Sequence, residues 1–215
     1  MNFCLESLVI LVVLCNLRVL GSSRLSACIQ TVALQGALLG LLPVLAHLDA
    51  LSARLLLQAA ASTFLKAVVF PWLLGRALRQ AGVQREVEPF VGFTASLAAG
   101  VLFLGAALWL AARLPQAGPE ALGRLVPTAL FTIFVGLFVI VSRRKAVTQV
   151  LGYLIFENGI YAFGMAFAEK QPLLVELGIL LDVFMGVFVM GITLFHINRE
   201  FDHLDTDRLT ALRDS

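Results

Sequence analysis

The sequence predicts an all-α, polytopic integral membrane protein of about seven transmembrane helices, with its N-terminus outside and its C-terminus in the cytoplasm. Three observations carry that reading. The 215-residue chain is 60% hydrophobic and only 14% charged, with a mean hydropathy of +0.92, whereas a soluble domain carries about 25% charged residues. Apolar runs long enough to cross a bilayer, roughly 20 residues each, recur from end to end. Lysine and arginine gather in alternate loops, as short cytoplasmic loops require.

The first run, Phe3 to Leu20, stops at Arg18, Gly21, Ser22, Ser23 and Arg24. No basic segment precedes it, so residues 3–21 read as a retained helix rather than a cleaved signal. The second run extends from Leu25 to His47, with Pro43 near its exit, and the third covers Leu51 to Leu78, containing Lys66 and Pro71. The polar stretch Arg79–Pro89 separates it from Phe90–Ala112. Leu125–Val141 follows, then the basic step Arg143, Arg144 and Lys145. The sixth run, Val147–Ala168, holds Glu157, and the seventh, Pro172–Ile197, holds Asp182. A charged tail, Asn198–Ser215, closes the chain. The divisions expected are a four-helix segment over 1–124, a three-helix segment over 125–198 and a tail over 199–215.

Orientation follows from the loops. Arg18 and Arg24, then Arg76, Arg79 and Arg85, then Arg143, Arg144 and Lys145, and finally Arg199, Arg208 and Arg213 fall on one side. Arg54, Arg113, Arg124 and Lys170 fall on the other. The net charge of +2 is thus distributed by topology and carries no sign of nucleic-acid binding. The three cysteines, Cys4, Cys15 and Cys28, lie in the first two runs without metal-ligand spacing and read as packing residues. The three histidines share no depth that would let a pair hold a haem.

Function rests on the ionisable residues inside apolar runs: Lys66, Glu157 and Asp182. A charge at the bilayer centre costs about 2.5–3.5 kcal/mol on insertion scales, so each must face the bundle interior, a partner or water. Glu157 lies ten residues past Val147, Asp182 ten past Pro172, and Lys66 thirteen past Ala53. At about 1.5 Å per residue, all three stand near the midplane and can join one polar line. A desolvated carboxylate is pushed toward its neutral form and a nearby ammonium pulls it back, which describes a proton relay. The alternative is a fixed buried pair, Lys66 with Glu157 or Asp182, that sets helix register.

Neighbouring residues refine the picture. Pro71 cannot bond the carbonyl of Ala67, so a bend beside Lys66 is expected. Ser62 and Thr63, one turn before, offer hydroxyls. Tyr153 and Asn158 flank Glu157, with Tyr161 one turn on. Glu176 sits in the first turn of the seventh helix, where the helix dipole favours it. Gly178 and Gly186 flank Asp182 and permit close helix approach. The extramembrane parts contain no nucleophile–base set, phosphate loop or metal cluster, so catalytic residues and a metal site are expected to be absent from this chain.

The stretch SRRKAVTQVLGYLIFENG, followed by a helix with a mid-membrane acid, resembles the three-helix K subunit of respiratory complex I and the C subunit of Mrp-type antiporters. With four preceding helices and a tail ending DRLTALRD, the whole chain looks more closely like hydrogenase-4 component E, a membrane subunit of complex I-related, group 4 membrane-bound hydrogenases. The resemblance implies a non-catalytic subunit of an oxidoreductase complex in the cell inner membrane. Nickel–iron and iron–sulfur centres would belong to partner subunits, with none in this chain. Its neighbours would be antiporter-like and anchor subunits and, indirectly, the hydrogenase arm. Glu157 matches the glutamate of the K subunit's second helix and Asp182 the acid of its third, though as Asp and at a shorter interval. A structural anchor subunit or a cation antiporter subunit is the alternative.

Overall fold

The computed structural model describes residues 2–46, 53–80, 90–114, 123, 125–143, 146–167 and 186. Every regular element among them is helical. In chain order they are α1 (Asn2–Gly21), α2 (Leu25–Gly40), α3 (Leu42–Ala46), α4 (Ala53–Phe64), a π-helical turn (Leu65–Val69), α5 (Phe70–Gln80), α6 (Phe93–Ala111), α7 (Leu125–Ser142) and α8 (Ala146–Phe167). Five stretches are long and apolar enough to cross a membrane: Phe3–Gly21, Leu25–Leu45, Phe93–Ala111, Leu125–Ser142 and Val147–Phe167. The third expected run is helical too, but in three consecutive pieces, α4, the π turn and α5. Apart from Gly186, the seventh run, with Asp182 and Glu176, lies outside the described residues, as does the C-terminal tail.

Local sequence explains the breaks. The Gly21-Ser22-Ser23 step ends α1, since glycine and serine favour turn geometry over helix continuation. Pro43 sits in the first turn of α3, where its missing N–H bonds nothing in any case. The break at Pro71 is different. Instead of a simple kink, the backbone widens just before it, and the N–H of Phe70 reaches the carbonyl of Leu65, five residues back. A proline ring crowds the carbonyl four residues behind it, and a wider turn relieves that crowding. Lys66 stands inside this turn.

The helices are arranged around α2. It meets α1, α8, α4, α5 and the π turn, so it lies between the Lys66 segment and the C-terminal part of the bundle. The most extensive pairing is α7 with α8. Glycines make it close: a Cβ at Gly152 would stand 2.8 Å from the backbone nitrogen of Ile140, and one at Gly159 2.7 Å from that of Ile133. Such a seam lets backbones approach where side chains would hold them apart. Leu20, Leu39, Phe70, Phe131, Leu151 and Ile155 fill the centre of the bundle, each almost wholly buried.

Helix α6 flanks this core, packing on α7 and α1. Phe103 meets Phe138 edge-on with centroids 5.5 Å apart, while Val101, Leu102 and Trp109 face outward. Two exposed tryptophans carry arginines over their rings, Arg76 over Trp72 at 5.7 Å and Arg113 over Trp109 at 5.1 Å. Amphipathic rings with a cation beside them suit a membrane–water boundary. Arg143 is buried, its guanidinium 5.2 Å over the ring of Phe93, and the N–H of Phe90 donates to the carbonyl of Ser142 at 3.1 Å. These contacts tie the start of α6 to the end of α7.

Candidate functional site

Lys66 and Glu157 meet inside the bundle. The ammonium nitrogen lies 3.0 Å from Glu157 Oε1, and the two side chains are 4% and 2% exposed. The π turn and α2 place the lysine. A Cβ at Gly36 would stand 2.8 Å from Lys66 Cβ and 3.2 Å from its carbonyl carbon, and a Cβ at Gly40 would overlap the hydroxyl of Thr63. The Gly36–Gly40 face of α2 therefore lets the Lys66 segment lie directly against it. Its counterpart Glu157 is carried by α8, eleven residues past Ala146. The second carboxylate oxygen, Oε2, is buried without a hydrogen bond among the described residues.

The tyrosine one turn beyond joins them. Lys66 Nζ lies 4.5 Å from the ring centroid of Tyr161, close enough for a cation–π contact. The ammonium thus sits between a carboxylate and an aromatic face, both presented by α8.

The other residues singled out in the sequence take different places. Thr63 donates to the carbonyl of Ala59 at 2.7 Å, along its own helix, and Ser62 is half-buried one turn before Lys66. Tyr153 is exposed, at the outer side of α8. Asn158 is buried but donates away from Glu157, to Gln35 Oε1 at 3.5 Å. Asp182 and Glu176 fall outside the described residues. Among the described residues no group of three or more His, Cys, Asp or Glu side chains could hold a metal ion.

The contact from Asn158 opens a feature that a search for ionisable residues alone misses. Gln35 Nε2 donates to Asn16 Oδ1 at 3.0 Å, Asn16 Nδ2 donates to Thr132 Oγ1 at 2.8 Å, and Thr132 Oγ1 donates to the carbonyl of Thr128 at 2.7 Å. All of these side chains are buried. A single line of amides and a hydroxyl therefore crosses α8, α2, α1 and α7, beginning at the residue next to Glu157. Its signal in the sequence was an amide inside each of two apolar runs, Asn16 in the first and Gln35 in the second. An amide buried there needs a partner on another helix.

The architecture defines a class: a multi-helix membrane protein with a buried Lys–Glu pair at its core and, among the described residues, no metal-binding cluster. Comparison of the chain with known proteins supplies the family. It is 34% identical over 203 residues to the uncharacterized protein Rv0085 of Mycobacterium tuberculosis, covering 94% of this chain and 92% of that one. It is 32% identical over 162 residues to hydrogenase-4 component E of Escherichia coli K12, covering 74% of each. The matching proteins of E. coli O157:H7 and Shigella flexneri carry the same description at the same identity. The chain belongs to the hydrogenase-4 component E family. No family model matches it, and no solved structure matches it significantly.

Proposed function

We propose that this chain is a non-catalytic membrane subunit of a complex I-related, group 4 membrane-bound hydrogenase, and that Lys66 and Glu157 form part of its proton or ion translocation path. The observation that carries the proposal is the buried pair at 3.0 Å, its lysine set in a widened helical turn. A pair needed only for register gains nothing from standing in a π turn, a feature found often at functional sites. Membership of the component E family supports a place in a hydrogenase complex of several subunits.

In this reading Glu157 takes up and releases a proton, the Lys66 ammonium biases it, and Asp182 continues the path on a seventh helix. Seven spans with the C-terminus in the cytoplasm accord with the arginine-rich loops. The cell inner membrane is the compartment, antiporter-like and anchor subunits are the neighbours, and nickel–iron and iron–sulfur centres belong to the partners. The likeness of residues 125–198 to the complex I K subunit supports the same assignment.

A second reading has its own observation. The buried amide line from Asn158 to Thr132 ties four helices together, and the ion pair could serve the same end in a purely structural subunit. Glu157→Gln separates the two. Ion transport is measured in inverted membrane vesicles, by a pH-sensitive dye and by labelled sodium uptake, and normalised to hydrogen turnover, with assembly checked on a native gel. The path reading expects transport per turnover to fall at least tenfold in an intact complex. Normal transport overturns it; should the single variant fail to assemble, Lys66→Met/Glu157→Gln, which removes both charges of the pair, takes its place, and normal transport there overturns it as well.

A further inference from the structure

We infer that the junction between the end of α7 and the start of α6 is a binding site for a phosphate group, which its depth in the bundle assigns to the headgroup of an anionic phospholipid. Its residues are Arg143, Ser142 and the first turn of α6, and no part of it belongs to the Lys66–Glu157 pair.

Two consecutive residues carry polar atoms that the fold buries and leaves unmatched. Ser142 and Arg143 are 3% and 2% exposed, and neither Ser142 Oγ nor Arg143 Nη1 has a hydrogen-bond partner among the described residues. No carboxylate of the described residues pairs with the guanidinium either. The two carbonyls at this point of the chain are engaged elsewhere. That of Ser142 accepts from the N–H of Phe90 at 3.1 Å, and that of Arg143 accepts from Gln149 Nε2 at 3.3 Å. An arginine buried in this way calls for an anion, since water can satisfy its N–H groups but not its charge.

The surroundings of the guanidinium add to that demand. Arg143 Cζ lies 5.2 Å over the ring of Phe93, the first residue of α6, so the side chain is aimed at the start of that helix. A helix start carries a partial positive charge and N–H groups without intrahelical acceptors. In α6 no side chain caps them, the N-cap being Gly92. A cation is thus held against the positive end of a helix. The two repel each other, and an anion between them turns repulsion into binding. There is room on the Gly92 side: Gly92, Thr94 and Ala95 are exposed, and a Cβ on Gly92 would meet nothing within 4 Å. The donors select phosphate. A guanidinium fork, a hydroxyl and helix N-terminal N–H groups all bond phosphate oxygens, and the Phe93 ring attracts the charge without consuming the N–H edge. Depth selects the source. Ser142 and Phe93 are terminal residues of the membrane-crossing stretches Leu125–Ser142 and Phe93–Ala111, so the junction stands at headgroup level. Arg144 and Lys145 follow in the sequence, and a cluster of cations there draws anionic lipid.

The test uses the complex purified through the full chain, stripped of lipid in detergent and then given phosphatidylglycerol or inorganic phosphate, with bound species counted by native mass spectrometry. The unaltered protein should bind phosphatidylglycerol, and Arg143→Gln should weaken that binding about tenfold, with Arg143→Lys between the two. Arg113→Gln removes the arginine over Trp109 at the other end of α6 and should leave binding unchanged. Should Arg143→Gln fail to assemble, Gly92→Asp decides the matter. Its carboxylate caps α6 and supplies the anion from within the chain, so an assembled complex should bind phosphatidylglycerol about tenfold less tightly. Equal binding by the unaltered protein and Gly92→Asp overturns the inference. So does an unaltered protein that binds neither lipid nor phosphate, which would leave the anion to a carboxylate of a neighbouring subunit. Inorganic phosphate that binds and excludes the lipid overturns the lipid as source while supporting the phosphate site.

Discussion

Helices α6 and α8 are both long, apolar and able to cross a membrane, yet they do opposite things. Of the membrane-crossing stretch of α6, 17% is buried, against 67% for α8. α6 is apolar nearly all round and lies at the margin, turning Val101, Leu102 and Trp109 outward. α8 carries Glu157, Asn158 and Thr148, and it lies inside. In a soluble protein the more apolar helix would be the more buried. In lipid the ordering reverses, because the surroundings are as apolar as the core and only polar groups need protein partners. Centrality in this bundle is therefore marked by the residues that lipid will not accept.

The largest way to break that comparison is to remove one half of the buried pair. Lys66→Met leaves Glu157 without its partner in the bundle centre, and the expected loss is about 3–5 kcal/mol. The complex should disappear from a native gel or become markedly thermolabile. The double variant Lys66→Met/Glu157→Gln removes both charges of the pair and should recover assembly while transport stays lost. Recovery of both would show the pair to be dispensable for ion movement, and recovery of neither would make it a structural requirement.

That Lys66 would seek a buried carboxylate was open to reading from the sequence, though Glu157 and Asp182 stood as alternatives. An ionisable residue inside an apolar run is rare enough to stand out, and depth counting put Lys66, Glu157 and Asp182 all near the midplane. Helicity and the principal apolar runs were legible on the same grounds. Less legible was the manner of the break at Pro71: proline predicts lost bonding and a bend, and the residues around it do not say whether the backbone kinks or widens. The amide line was hidden for a different reason. Asn16, Gln35 and Thr132 are uncharged, and nothing in their spacing says that four separate helices bring them together. The contact between Lys66 and Tyr161 was equally concealed, since a tyrosine one turn from a glutamate gains meaning only once a lysine from another helix lies over it.

A smaller effect separates the two helices through their glycines. Gly136 faces α8 so closely that any side chain would overlap the backbone of Phe156, whereas a Cβ at Gly105 on α6 would meet nothing within 4 Å. Gly136→Leu should therefore force α7 and α8 apart, at a cost of about 1–3 kcal/mol or more. Gly105→Leu should be neutral within about 0.5 kcal/mol. Thermal loss of the assembled complex on native gels measures both. A destabilising Gly105→Leu would show that the outward face of α6 is a partner interface rather than a lipid surface, and would sharpen the comparison accordingly.

The smallest effect belongs to the amide line. Gln35 accepts from Asn158 and donates to Asn16, so Gln35→Leu cuts it in the middle and leaves an amide donor and an amide oxygen unmatched. Hydrogen bonds between membrane helices average only about 0.6 kcal/mol in double-mutant cycles, with a maximum near 1.7. Two such bonds set an expected loss of roughly 1–2 kcal/mol, well below that of the Lys66→Met variant. Asn16→Leu breaks two contacts of the line, the one to Gln35 that Gln35→Leu also breaks and one to Thr132. The double variant should therefore cost less than the sum of the singles, by about the strength of the bond they share. Additive losses would mean that each amide is satisfied independently and that the line is a coincidence of packing. A loss of transport from Gln35→Leu without any loss of stability would mean something else: that the orientation of Asn158 beside Glu157 matters to the ion path, which would extend the functional site from the ion pair into the amides behind it.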